Sequence, residues 1–106
     1  MTQETKDQLK PFAEAIRKNF SPKDIVLFGS HAYGIPSKFS DVDLLVVMDT
    51  PLKPYRQAAL IRLKLDEAIS PDFPIDIIVR TPEELQRRVG KGDNFLRTVM
   101  DEGVHI

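Results

Sequence analysis

Apolar residues recur at helical spacing in two stretches of the chain. The first series predicts an amphipathic helix with Pro11 in its first turn, ending at Ser21 and Pro22; its apolar positions are Leu9, Phe12, Ala13, Ile16 and Phe20. The second predicts a helix that begins at Pro54 and ends before Ser70; its core-facing positions are Ala58, Ile61, Leu65 and Ala68. Each helix therefore has one apolar face to bury.

Shorter apolar runs predict strands around the second helix. They lie at residues 25–28, 41–48 and 75–80. Alternate side chains of a strand point to opposite faces, and in the third run this leaves Asp76 as a single acidic residue in a core-like strand. Residues 34–38 are predicted to form a loop, and residues 104–106 are compatible with a short additional strand.

Helix-capping residues define two more helices after the third strand. Residues 81–84, Thr-Pro-Glu-Glu, combine a capping Thr, a Pro at the first helical position and a Glu three residues after the cap. Residues 90–92 end this helix, and Asp93 or Asn94 caps a last one that ends at Gly103. The order of elements predicts an α/β (α+β) fold in which a small mixed β-sheet is backed by helices.

A small turn and three carboxylates carry the candidate chemistry. Gly29 lets the backbone approach a phosphate, and Ser30 offers a hydroxyl and an N–H at the start of a helical turn. Asp41 and Asp43 are two residues apart, so in an extended strand they point to one face with Cα atoms roughly 6.5 Å apart. Carboxylates are disfavoured in a buried strand, so the pair predicts a site for oxygen-seeking cations. Asp76 joins this site if its strand lies beside theirs.

The Gly-Ser turn, followed after ten residues by Asp-x-Asp, resembles the signature of the minimal nucleotidyltransferases (MNT), a group of the DNA polymerase β superfamily. The resemblance extends to the apolar strand before the turn, to the later strand with Asp76 and to the C-terminal segment, and so covers nearly the whole chain. It implies the nucleotidyltransferase (polymerase β-like) fold. Many members carry Arg at the positions of His31 and Tyr33, so two basic residues are absent here.

The resemblance implies transfer of a nucleoside monophosphate, AMP from ATP, to a hydroxyl group. Such transfer needs one cation to neutralise the triphosphate and a second to activate the attacking oxygen. We expect Asp41 and Asp43 to bridge two Mg²⁺ ions, and Asp76 to bind the second ion and help take the acceptor's proton. Gly29 and Ser30 are expected to bind the nucleotide's phosphates. Mg²⁺ is expected because it prefers oxygen ligands and shares its shell with phosphates.

Composition narrows the range of partners. The 106 residues suffice for one domain, placed at residues 1–106, so the acceptor has to dock from outside. The net charge is -1 and no basic run exceeds two residues, which argues against duplex nucleic acid as a direct partner. The chain has no cysteine and no apolar run near the roughly 20 residues of a membrane span. We therefore expect a cytoplasmic protein without membrane contact.

Two functional hypotheses remain open at the level of the sequence. Stand-alone proteins of this size resemble the antitoxin half of a two-component system, whose partner is a small helical HEPN-type ribonuclease inactivated by adenylylation of a tyrosine. The resemblance thus implies a protein adenylyltransferase that acts as an antitoxin. The alternative is a non-catalytic antitoxin that keeps the fold and blocks its partner by occlusion, which the absence of Arg at positions 31 and 33 keeps open. The sequence also leaves a homo-oligomer open.

Overall fold

The computed structural model describes residues 3–33, 41–69 and 74–106. Its elements are α1 (Gln3–Phe20), β1 (Asp24–Phe28), α2 (Ser30–Tyr33), β2 (Val42–Val47), α3 (Pro54–Ala68), β3 (Ile75–Arg80), α4 (Pro82–Gly90), α5 (Asn94–Glu102) and β4 (Val104–His105). The predicted loop at 34–38 and the predicted helix stop at 70–71 lie outside the described residues. Within the described ranges, no helix has both the length and the apolar character needed to cross a membrane.

The four strands form one sheet in the order β3-β2-β1-β4. β1 pairs antiparallel with both β2 and β4, whereas β2 and β3 are parallel and are joined by α3. Parallel neighbours need such a crossover, because a hairpin turn cannot return the chain in the same direction. The sheet is therefore mixed and backed by helices, which confirms the predicted fold class.

The sheet buries a different apolar cluster on each face. The first face packs on α1 and α3; its sheet residues are Ile25, Leu27, Val42, Leu44, Val46, Ile75 and Val79. The second face packs on α4 and α5; its sheet residues are Val26, Phe28, Leu45 and Val47. Side chains alternate between the faces along each strand. Asp43 and Asp76 belong by this alternation to the second face.

Helix α1 begins earlier than the sequence predicts. Pro11 lies inside the helix rather than in its first turn, so the helix lacks the backbone hydrogen bond that residue 11 would donate. The turn before it is held by packing, because Leu9 is buried against the first face of the sheet. Gln3 also donates a hydrogen bond to the Asp7 carboxylate at 3.0 Å. The local proline rule fails here because tertiary burial outweighs it.

The buried stripe of α3 also differs in part from the predicted one. Ile61 and Leu65 are buried as expected, but Ala68 is exposed. Gln57 is buried instead, and its side-chain oxygen lies 2.7 Å from the Thr50 hydroxyl, which donates to it. A buried amide with a hydrogen-bond partner is compatible with a core position. The predicted caps of the later helices are present at Thr81 and, of the two candidates for the last helix, at Asp93.

The short strand β4 is anchored through the side chain of His105. Its Nδ1 lies 2.7 Å from the Asp24 carboxylate, and its Nε2 lies 3.1 Å from the Met100 carbonyl oxygen. Both neighbours are acceptors, so only the imidazolium, with two N–H donors, satisfies both. The Met100 carbonyl and Asp24 raise the pKa of His105, and burial opposes them.

We expect this anchor to make stability depend on pH. Because the pKa of His105 is raised in the folded state, its stabilisation is fully present below the ordinary value of about 6.5 and is lost as pH rises through the folded-state pKa. Wild type should therefore exceed His105→Gln in melting temperature by more at pH 5.5 than at pH 8.5. Asp24→Asn should reduce that pH dependence without abolishing it, because the Met100 carbonyl still favours the imidazolium. An equal difference at both pH values would contradict the anchor.

Candidate active site

Three carboxylates meet where β2 and β3 begin. Asp43 and Asp76 lie directly opposite each other in the parallel ladder, and Phe28 of β1 faces Asp43 on its other side. Asp41 immediately precedes β2, and its negative charge acts on the carboxyls of both Asp43 and Asp76. The structure therefore brings together the three carboxylates that the sequence singled out. Their roles in catalysis stay a prediction.

Gly29 follows β1 and lies against the carboxylate of Asp43. Its φ is +77°, a left-handed conformation that residues with a side chain rarely adopt. A Cβ at this position would overlap an Oδ atom of Asp43, so the glycine leaves room for that carboxylate. Ser30 begins α2, a single turn in which the N–H groups of Ala32 and Tyr33 donate to the Gly29 carbonyl at 3.0 and 3.1 Å.

The electrostatics of Asp43 are those of a crowded anionic site. Burial raises the pKa of Asp43, and the negative charges of Asp76 and Asp41 raise it further, while His31 on α2 lowers it. Each neighbouring carboxylate makes ionisation of Asp43 less favourable. A bound cation would reverse this effect, because it stabilises the ionised forms.

Asp76 shares this environment. Desolvation, a hydrogen bond with Asp41 and the charge of Asp41 raise the pKa of Asp76, while Arg62 lowers it. Since 59% of the Asp76 side chain is exposed, the nearby Asp41 contributes more to this shift than desolvation does. Asp41 and Arg62 therefore act on the same carboxyl in opposite directions: the negative charge of Asp41 disfavours the ionised form of Asp76, and the positive charge of Arg62 favours it.

The donor set suits a hard divalent cation. It consists of carboxylate oxygens, which Mg²⁺ prefers, and their mutual repulsion is relieved by positive charge. In ranges 3–33, 41–69 and 74–106, however, no three His, Cys, Asp or Glu side chains are already arranged as a metal-binding group. The chemistry of the residues therefore fits Mg²⁺.

A comparison with protein-family models decides the family. The model of the nucleotidyltransferase domain matches residues 9–105. The chain belongs to the nucleotidyltransferase domain family. A comparison with curated proteins found no match. Membership makes the protein a transferase with nucleotidyl transfer as its general activity and a nucleoside triphosphate as its substrate class. The family generally uses Mg²⁺ with the triphosphate.

In this nucleotidyltransferase domain a cleft of about 480 Å³ opens beside the carboxylates. Asp43 and Asp76 line one end, and the edge of β3 and helix α3 form the walls. Two side chains of α3, Tyr55 and Arg62, also line it and were not among the predicted site residues. The sequence carried little signal for them, because both lie on the side of α3 away from its buried stripe.

We expect Gly29→Ala to disturb the fold and the site together. The left-handed φ alone costs about 1–2 kcal/mol with a side chain present, and the new Cβ would also displace the Asp43 carboxylate. The free energy of unfolding in urea and the affinity for ATP with Mg²⁺ should both fall, the latter measured by calorimetry.

Gly92→Ala is the matched control for the backbone conformation. Gly92 also has a positive φ, +91°, but a Cβ there meets no atom of the described chain within 4 Å. This variant should lose stability through its φ alone and bind ATP with Mg²⁺ like wild type. Equal losses of stability and of affinity in the two variants would mean that room for Asp43 is not what Gly29 provides.

Proposed function

We propose that this nucleotidyltransferase domain transfers AMP from ATP, with Mg²⁺, to a hydroxyl group of a partner protein. The observation that supports it most is the pairing of Asp43 with Asp76 beside Gly29. One carboxylate on each of two adjacent strands, with a third just before them, gives the charge that two-cation phosphoryl chemistry uses. Gly29, which follows β1, leaves room for a phosphate to approach the cations that these carboxylates would hold.

Each residue has a distinct part in the proposed reaction. Asp41, Asp43 and Asp76 would hold Mg²⁺, which when bound neutralises the triphosphate and activates the acceptor oxygen. Gly29 and Ser30 would bind the phosphates that leave as pyrophosphate. Asp76 would accept the hydroxyl proton as the bond from acceptor oxygen to the α-phosphorus forms and the bond from that phosphorus to the leaving oxygen breaks.

The direction of attack follows from the order of these residues across the sheet. Gly29 follows β1, Asp43 is on β2 and Asp76 is on β3, which forms the edge of the sheet. Phosphoryl transfer is in line, so the nucleophile approaches from the side opposite the leaving group. If the turn at Gly29 holds the leaving phosphates, the acceptor enters from the cleft between α3 and β3.

The partner that we propose is a small helical HEPN-type ribonuclease, adenylylated on a tyrosine, which makes this chain its antitoxin. The support is the resemblance of residues 29–43 to minimal nucleotidyltransferases. An apolar wall of the cleft, with Ile77, Ile78 and Ala58, suits an aromatic ring beside the carboxylates.

The test uses ATP labelled on either the α- or the γ-phosphate, incubated with the chain, Mg²⁺ and a small helical HEPN-type protein as the acceptor. We expect the α-label to appear on the partner and the γ-label in pyrophosphate. CTP, GTP and UTP serve as controls for the base. Transfer of the γ-label to the partner would instead indicate a kinase and overturn the proposal.

A non-catalytic antitoxin acting by occlusion is the second candidate. Two observations favour it: within the described residues no metal-binding group is already arranged, and the outer side of α3 exposes Leu60 and Leu63, which a partner can cover. On this hypothesis neither label reaches the partner, and a variant without Asp43 protects the cell as well as wild type. Leu63→Ala, by contrast, would weaken protection.

A further inference from the structure

Arg62 is the charged group nearest to the candidate metal ligands on the side of α3. Its Nη2 lies 3.9 Å from an Oδ atom of Asp76, and it lowers the pKa of that carboxyl. Among the described residues that line the cleft, Arg62 is the only cationic one. In the free protein it therefore occupies the place beside Asp76 that a cation would otherwise take.

The contact between Arg62 and Asp76 is a weak one. A separation of 3.9 Å is longer than a hydrogen bond, and the two side chains are 52% and 59% exposed. Exposed ion pairs of this kind contribute only about 0.2–1 kcal/mol, and salt screens them. A divalent cation that binds several carboxylates at once can therefore displace Arg62 readily.

The position of Arg62 in the cleft determines which groups its side chain is near after a cation displaces it from Asp76. Gly29, Asp43 and Asp76 follow one another across three adjacent strands about 4.8 Å apart, and Arg62 of α3 contacts Asp76 on the edge strand β3. Of the two carboxylates on the strands, Arg62 thus contacts the one farther across the sheet from the turn proposed for the leaving phosphates. Arg62 lies on the acceptor side of the cleft, where the attacking oxygen gains negative charge as its proton is removed.

We propose that Arg62 is an exchangeable counter-ion: it neutralises Asp76 in the free protein, yields that carboxylate to the divalent cation, and then binds the acceptor at its reacting oxygen. This inference rests on the proposed function, since it takes Asp76 as a metal ligand. It gives the positive side chain a role in assembling the loaded site. It also explains why a cationic residue lies among groups that have to bind a cation.

The experiment measures Mn²⁺ affinity without nucleotide, using Arg62→Gln and Arg56→Gln. Arg56 lies on the same helix, is exposed and does not line the cleft, so its removal changes the net charge equally. Arg62→Gln should bind Mn²⁺ about 1.4- to fivefold tighter than Arg56→Gln, the range of one exposed ion pair. In nuclear magnetic resonance spectra, Mg²⁺ should shift the Arg62 Nε–H signal of wild type to its position in Asp76→Asn.

In the transfer reaction Arg62→Gln should lose activity relative to Arg56→Gln while its affinity for ATP with Mg²⁺ is kept. Equal Mn²⁺ affinity of the two variants, or an Arg62 signal unmoved by saturating Mg²⁺, overturns the exchange. Equal transfer rates overturn the acceptor role. Asp43→Asn separates this proposal from the proposed function. If Asp43→Asn binds Mn²⁺ as tightly as wild type, the proposed function itself fails. If Asp43→Asn loses Mn²⁺ binding but Arg62→Gln and Arg56→Gln have equal Mn²⁺ affinities, only the role of Arg62 is rejected.

Discussion

Asp43→Asn is expected to abolish the effect of Mg²⁺ with ATP on thermal stability and to reduce nucleotidyl transfer by at least ~100-fold. A ligand at 100 times its dissociation constant stabilises the native state by about 2.7 kcal/mol, so wild type should show a clear rise in melting temperature. The amide keeps the shape of the side chain against Gly29 but loses the charge. Scanning calorimetry with and without the ligand measures the rise.

The same variant should be as stable as wild type without ligand, or more stable. The pKa of Asp43 is raised in the fold, so wild type loses stability as pH rises from the ordinary value of 3.8 through the folded-state pKa. An amide at this position does not titrate, and the loss disappears. Asp101→Asn, exposed on α5, is the control and should keep the response to ligand. A marked loss of stability in Asp43→Asn without ligand would mean that Asp43 is a structural residue.

Asp76→Asn should separate binding from chemistry. In the proposed site this carboxylate acts on the acceptor, so its contribution grows in the transition state and is small in the complex with nucleotide. ATP with Mg²⁺ should still bind, within a few-fold of wild type, while transfer of the α-label to the partner falls by at least ~100-fold. Calorimetry and single-turnover transfer measure the two quantities.

Asp66→Asn provides the comparison for Asp76→Asn. Asp66 is also an exposed carboxylate near Arg62, in the neighbouring hollow that Asp76 shares, but it lies on α3 and not on the sheet. The Asp66→Asn variant should transfer the α-label to the partner at the wild-type rate. If Asp66→Asn and Asp76→Asn transfer equally, the third carboxylate has no part in the reaction.

Much of the fold followed from local rules, because its elements carry strong signals. Short-range patterns in the sequence predict these features directly: the apolar strands, the caps at Thr81 and Asp93, and the sharp turn at Gly29. The predictions that were wrong depend on packing between residues that are far apart in the sequence. Pro11 lies within α1 because Leu9 in the turn before it is buried. At the end of α3, Leu65 is buried and Ile69 packs against the core, while Ala68 between them is exposed.

The sequence predicted that the three aspartates lie close together only if the strand of Asp76 is next to that of Asp43. The sheet order meets the condition, but no local pattern specifies strand order. Arg62 could not be found in this way, because its position opposite Asp76 depends on how α3 crosses the edge of β3. Gly29 was a predicted site residue, but its contact with Asp43 was not, because that contact depends on the register of β1 against β2.

The position of Asp43 and Asp76 in the sheet has a consequence for how the chain avoids misfolding. A slip of one residue between neighbouring strands exchanges the two faces of a strand, and in an apolar run such as residues 25–28 of β1 it changes little. In β2 it would place Asp43 where Val42 or Leu44 is buried against α1 and α3. An unpaired carboxylate there costs several kcal/mol. The repulsion between Asp43 and Asp76 therefore costs the native sheet some stability. It costs less than burying Asp43 among apolar side chains would cost a sheet whose strands are shifted by one residue.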